Sequence, residues 1–373
     1  MPHTVQEIAL PSDRTGTRRA LTVHRFGTPG ARPKAYVQGG LHADEIPGMI
    51  VASRLIGMLE TANVTGEIVV VPLCNPIGLA QSVSSSAIGR YALPSGENFN
   101  RGFAALADGA AERLQGRIGH DPQANVVAVR AALAAAHAAR TPVSELAALR
   151  HALLGLALDA DIVLDLHCDM EAVVHVYTGD ALWPDAADLA AEIGARAVLL
   201  ASDSGGDPFD EACSAPWWRL AERFSGDGPI PPACLAATVE LRGKADVSDA
   251  LARADAEALI RFLARRGVVQ APVADPPAPL CEATPLAALE RITAPVPGII
   301  LFHAQPGAQL RTGDPVADIA DPTDPASRRS LHAGTDGLLM ARSNLRFAGV
   351  GDLIASIAGT VPQAESDRGL LFD

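Results

Sequence analysis

Ala35-Tyr36-Val37-Gln38-Gly39-Gly40-Leu41-His42-Ala43-Asp44-Glu45-Ile46-Pro47 carries the first half of the reading. An apolar run ends in a Gly-Gly turn, His42 and Glu45 follow three residues apart, and Pro47 opens a helix. An imidazole and a carboxylate at that spacing can reach one metal ion from the start of a helix. The bare spacing also arises by chance; the strand, turn and helix around it give it weight. The second half is Ile162-Val163-Leu164-Asp165-Leu166-His167, where another apolar run ends in an imidazole. Two imidazoles and one carboxylate leave one position open on a four-coordinate zinc ion, as a catalytic site requires.

Outward from these two runs, short apolar strands alternate with helices up to about residue 268. The pattern predicts strands over 20–25, 34–39, 67–73, 161–166, 172–177, 196–201 and 235–241. It predicts helices over 47–61, 122–138, 142–158, 185–193, 214–224 and 246–265. Such alternation makes an α/β sheet covered by helices on both faces. His137, in the Ala-rich helix, reads as a surface or packing residue. Residues 270–289 begin with a Pro-rich connector that suits neither helix nor central strand. Beyond it, β-like runs punctuated by Gly and Pro at 298–303, 315–319, 337–341 and 352–357 predict a small all-β module over 290–360. Its two half-similar phrases, Pro297-Gly298-Ile299-Ile300 and Asp336-Gly337-Leu338-Leu339, suggest a repeated unit. The expected division is a catalytic domain over 1–269, the connector, the module, and a tail over 361–373.

The charge balance narrows the partners. Thirty Lys and Arg stand against 43 Asp and Glu, a formal charge of -13, which argues against a nucleic-acid partner. No signal-peptide pattern and no membrane-length apolar run is visible. The five cysteines are scattered, and no Cys-x-x-Cys occurs. They read as free thiols of a reducing cytoplasm. A homo-oligomer is only the default expectation.

Further residues gather around His42, Glu45 and His167. Asn75-Pro76 marks a turn at a strand's C-terminal end. Arg90-Tyr91 precedes a polar loop, Glu97-Asn98-Phe99-Asn100-Arg101, whose Asn-Arg pair can hold a planar anion or can merely cap a helix. Thr238-Val239-Glu240-Leu241-Arg242 puts a carboxylate inside an apolar run, and alternation puts Glu240 and Arg242 on one side of the strand. A charge there is paired, coordinates something, or faces a cleft. Asp165 is read as an acceptor behind another group rather than as a ligand. His42, Glu45, His167 and Glu240 all fall at C-terminal strand ends, where open α/β sheets bind ligands.

In that order these pieces resemble the succinylglutamate desuccinylase/aspartoacylase family of zinc carboxypeptidase-like hydrolases. The matching text runs from Gly39 to Gly243, and the C-terminal text is similar to the family's small β module and to biotinyl/lipoyl carrier folds. The resemblance implies a mixed sheet with helices on both faces and one zinc ion per chain. It implies His42, Glu45 and His167 as zinc ligands and Glu240 as the general base acting on zinc-bound water. It implies Arg90 as the group that polarises the scissile carbonyl, and Asn100 and Arg101 as the grip on a substrate carboxylate. The chain departs from the family pattern at Asn98, where an acid is common, and at Arg242, where Gly is common. Arg242 is then either a second substrate-binding cation or a partner of Asp203, Asp207, Asp210 or Glu211. Those acids lie in a Gly-rich loop, 202–212, that could instead receive a substrate amine. The module lacks the Met-Lys-Met tripeptide of a carrier, so attached biotin or lipoate is not expected.

The leading expectation is a zinc-dependent deacylase acting on a small N-acyl amino acid or acylated amine. The alternatives are a metallocarboxypeptidase trimming peptides, and a non-catalytic small-molecule binding or assembly protein on the same scaffold.

Overall fold

Residues 3–362 are described by the computed structural model; the last residues of the expected tail, 363–373, lie outside the described residues. The main sheet has nine strands: β1 (His3–Leu10), β2 (Arg19–Gly27), β3 (Lys34–Gly39), β4 (Glu67–Val71), β5 (Ile162–Asp169), β6 (His175–Thr178), β7 (Ala197–Leu200), β8 (Leu235–Gly243) and β9 (Ala283–Pro285). They lie in the order β1-β2-β4-β3-β5-β8-β6-β7-β9. The centre, β4-β3-β5-β8, is parallel, and antiparallel pairings at β2 and β6 make the sheet mixed.

Alternation along the central strands builds two cores. In β3, Tyr36 belongs to one apolar cluster, while Ala35 and Val37 belong to the other. Helices α1 (Ile46–Leu59), α6 (Ala187–Glu192) and α8 (Asp249–Arg265) cover the Val37 face. Helices α3 (Ala107–Leu114), α4 (Pro122–Ala138), α5 (Glu145–Ala157) and α7 (Phe209–Arg223) cover the other, and the single turn α2 (Pro76–Leu79) follows β4. Both faces are therefore helical, as the alternation implied. Local signals set the helix starts. The carboxylate of Asp121 caps α4, and the hydroxyls of Ser144 and Ser248 cap α5 and α8. Among the described residues no helix is long and apolar enough to cross a membrane.

The module holds β10 (Leu289–Thr293), β11 (Gly298–Phe302), β12 (Gln309–Leu310), β13 (Pro315–Ala320), β14 (Arg328–His332), β15 (Gly337–Arg342), β16 (Phe347–Ala348) and β17 (Leu353–Gly359). They form two sheets, β10-β17-β15-β12 and β14-β13-β11-β16. The module is welded to the rest of the chain. Residues 171–172, just past β5, pair with β15. Glu171 takes an N–H from Arg342 at 2.6 Å and another from Arg346 at 2.5 Å. Val173, Leu199, Leu338 and Met340 close an apolar seam between the two parts. The connector also does more than link, because its end supplies β9 to the main sheet.

Candidate metal and active site

The Gly-Gly turn explains how His42 and Glu45 come together. A Cβ on Gly39 would stand 2.5 Å from the Gly48 carbonyl oxygen, and one on Gly48 would stand 2.4 Å from that of Leu166. These two glycines let α1 press against the ends of β3 and β5. Gly40 has φ +77°, a conformation open to glycine at no cost. Asn75 fixes the loop from below, donating to Leu41 O at 2.7 Å while accepting from Gly78 N at 2.8 Å. Glu45 stands at the N-cap of α1, yet its carboxylate does not cap the helix. It turns inward, with Oε1 3.0 Å from His42 Nδ1 and Oε2 2.9 Å from His167 Nδ1. Cys168 N–H donates to Oε2 at 3.2 Å.

Among the described residues these three form one group of potential metal ligands, all buried, with donor atoms within 4.8 Å of one another. The far side of each ring shows that the set fits a cation. Asn98 Oδ1 accepts the backbone N–H of Asn100 at 2.8 Å, so its amide presents oxygen to His42 Nε2, also at 2.8 Å. Asp165 Oδ2 lies 3.0 Å from His167 Nε2. With its Nε2–H directed at Asn98, His42 offers its Nδ1 lone pair towards Glu45. The Asp165 carboxylate beside His167 Nε2 favours a proton on that nitrogen and so the same outcome at Nδ1, although the two atoms are out of hydrogen-bond alignment. Lone pairs of two rings and a carboxylate converge there, an arrangement that only a proton or a cation between them stabilises. Burial lowers His42 below the ordinary imidazole value, outweighing Glu45. Burial also pulls His167 down, but Asp165 and Glu45 outweigh it and raise that ring well above the ordinary value. Burial raises Glu45, but the two imidazoles prevail and hold it well below the carboxylate range.

Register places Glu240 beside this group: it pairs with His167 across β8 and β5, and with His175 across β8 and β6. Its Oε2 is buried with no hydrogen-bond partner among the described residues. Burial, then the Glu45 charge, push its carboxyl well above the carboxylate range. Arg90 Nη1 lies 3.3 Å from Glu45 Oε1 and 3.2 Å from His42 Nδ1. Arg101 donates to Asn100 O at 2.7 Å, and its stem packs over Gly206. Asn100 Oδ1 receives the Phe209 N–H at 2.9 Å, tying the Asn-Arg loop to the start of α7. These groups line a cavity of about 710 Å³, one wall of which is the module's Arg291, Thr293, Asp352 and Ser356.

Arg242 does not join them. The expected alternation fails at a bulge between Glu240 and Gly243, where Arg242 takes φ +64°. Its guanidinium pairs with Asp255 of α8 instead of an acid of the 202–212 loop. Two contributors were not anticipated. Asn98 orients His42, the role its position in the loop hid. Gln38 donates to Asp165 Oδ1 at 2.9 Å and accepts from Tyr36 at 2.8 Å, locking the carboxylate behind His167. The sequence signal for Gln38 is an amide at the end of a wholly buried strand.

A mixed α/β sheet with a buried His-Glu-His group at the carboxyl ends of its parallel strands is the class of protein this geometry defines. Residues 31–133 match the model of the succinylglutamate desuccinylase/aspartoacylase catalytic domain. A solved structure ascribed to that family, from Shewanella amazonensis, is similar at 26% identity and TM-score 0.86, over 95% of this chain and 98% of its own. A second, from Shewanella frigidimarina, has 24% identity and TM-score 0.83 over 96% and 97%. A third, from Rhodobacter sphaeroides, shares the fold at 19% identity and TM-score 0.67 over 97% and 96%. Among curated proteins none matches. The resemblance to the succinylglutamate desuccinylase/aspartoacylase family is thereby borne out.

Proposed function

We propose that this chain is a zinc-dependent amide hydrolase, a deacylase that cleaves a small N-acyl amino acid or similar acylated amine. The observation that carries the reading is the convergence of His42, Glu45 and His167, with Asn98 bonded behind the first imidazole and the Asp165 carboxylate 3.0 Å behind the second. These three would hold the ion, and the chemistry a bound zinc ion supplies at such a site is Lewis acidity towards a carbonyl and a water. Glu240 takes a proton from the attacking water as the water oxygen adds to the acyl carbon. It delivers that proton to the nitrogen as the C–N bond breaks, releasing a free amine and a carboxylate. A raised carboxyl suits both halves of that exchange. Arg90 holds the developing oxyanion, where one lost donor costs about 3–4 kcal/mol of barrier. Asn100 and Arg101 grip a carboxylate of the substrate. The module narrows the cleft, which favours small substrates over the peptides a carboxypeptidase would trim.

Zinc-loaded protein tested against N-acetyl, N-succinyl and longer N-acyl amino acids, scored by free amine, is expected to hydrolyse at least one class and to stop on chelation. Glu240→Gln should lower kcat by orders of magnitude with zinc content intact. Unchanged turnover in that variant would rule out Glu240 as the base. Release of amino acids from peptides alone would favour the carboxypeptidase.

A further inference from the structure

The cavity contains an acid that the proposed hydrolysis does not use. Asp210 lies in the first turn of α7, is only 7% exposed, and lines the same cavity as His42 and Arg101. The positive end of the helix tolerates an acid there, but among the described residues no cationic side chain pairs with this one. No side chain among the described residues bonds or ion-pairs with its carboxylate, whose relief comes from the Glu211 backbone N–H and the more distant His167. Glu211, beside it in the lining, adds negative charge, and its Oε1 already accepts Ser204 N–H at 2.8 Å. Of the four cations that line the cavity, Arg90 pairs with Glu45 and Lys244 with Asp44, and among the described residues neither Arg101 nor Arg291 forms an ion pair with Asp210. A carboxylate this buried is costly to ionise without a partner. Burial first, then Glu211 and Asp165, push Asp210 up to about 7. A ligand cation would supply what the chain does not. One carboxylate with one occupied neighbour is too few oxygens for a calcium or magnesium ion, whereas it suits the directional donors of an ammonium group.

We propose that Asp210, flanked by Glu211, is a subsite for a positively charged amine, so that the favoured substrate is a diamino compound acylated on one nitrogen and free on the other. This rests on the deacylase reading and narrows its substrate class. The amine released on hydrolysis would then be a diamino acid or a diamine.

The test uses zinc-loaded protein and two free amino acids of equal length, ornithine and norleucine, which differ by an ammonium in place of a methyl. Calorimetry is expected to show ornithine binding at least tenfold tighter, and Asp210→Asn should bring the ratio towards one. Equal affinities in the unaltered protein, no binding of either, or a ratio unmoved by Asp210→Asn would overturn the subsite. The unaltered protein's ratio decides the matter even if the variant does not fold. Their Nα-acetyl derivatives separate the two readings. Selective ornithine binding with neither derivative hydrolysed leaves the subsite standing and removes the deacylase. Hydrolysis of both with equal kcat/KM does the reverse.

Discussion

At the scale of single residues, the site is a set of charges whose pairing decides their behaviour. His42, Glu45 and His167 were legible because each is a polar residue directly beyond, or at the end of, an apolar strand. Glu240 was legible because a lone carboxylate interrupts such a strand. Asn98 and Gln38 were not, because an amide in a loop or at a strand end carries no periodic signal; only the register of β3 against β5 shows that Gln38 faces Asp165. Asp210 gives a pH prediction. Its carboxyl rises from the usual 3.8 to about 7 on folding, through burial before all else, then Glu211 and Asp165. The folded state therefore holds this proton more tightly than the unfolded chain. The stability it contributes is complete below pH 3.8 and is lost as pH rises through about 7. The stability difference between the unaltered protein and Asp210→Asn, followed by urea unfolding, should shift against the unaltered protein across that window and be flat above it. A difference that does not change with pH would contradict the buried, unpaired carboxyl.

At the scale of elements, two glycines and one bulge place the chemistry. Gly48→Ala would drive a Cβ to 2.4 Å from the Leu166 carbonyl oxygen. Overpacking of that kind costs about 1–3 kcal/mol, and here it also lifts the start of α1, which carries Glu45. A lower Tm together with weaker zinc binding is expected; a lower Tm with zinc affinity unchanged would show that α1 does not position the ligand. The bulge that turns Arg242 towards Asp255 was illegible, since a one-residue insertion breaks alternation without changing composition. Arg242→Met should leave KM unmoved and cost about 1–3 kcal/mol of stability, from a buried acid deprived of its partner. A raised KM at unchanged stability would return Arg242 to the cleft. The main helices and central strands were readable from apolar periodicity, α4 over the same residues, 122–138. Strand β1 was missed because it is an edge strand with an exposed middle, so it lacks apolar alternation. Helix α7 begins at Phe209, upstream of the expected 214, and carries Pro216 within it. That earlier start is what brings Asp210 and Glu211 to the cavity.

At the scale of the whole molecule, the sheet brings together residues 125 positions apart, and the module closes the space above them. The segment that follows His167 pairs with β15, so the module is anchored beside the candidate metal ligands. The cavity is therefore a joint product of both parts, and its volume of about 710 Å³ suits a small molecule. Neither sequence half shows this alone, because the seam of Val173, Leu199, Leu338 and Met340 joins short runs that are unremarkable in each. All of it depends on one divalent ion meeting two imidazoles and a carboxylate. X-ray absorption at the zinc edge of the loaded protein measures that directly. The account predicts one zinc per chain, with nitrogen and oxygen neighbours at about 2.0–2.1 Å and no sulfur, since the group of potential ligands contains two imidazoles and a carboxylate and no thiol. Protein that takes up no zinc, or zinc surrounded by sulfur, would contradict it.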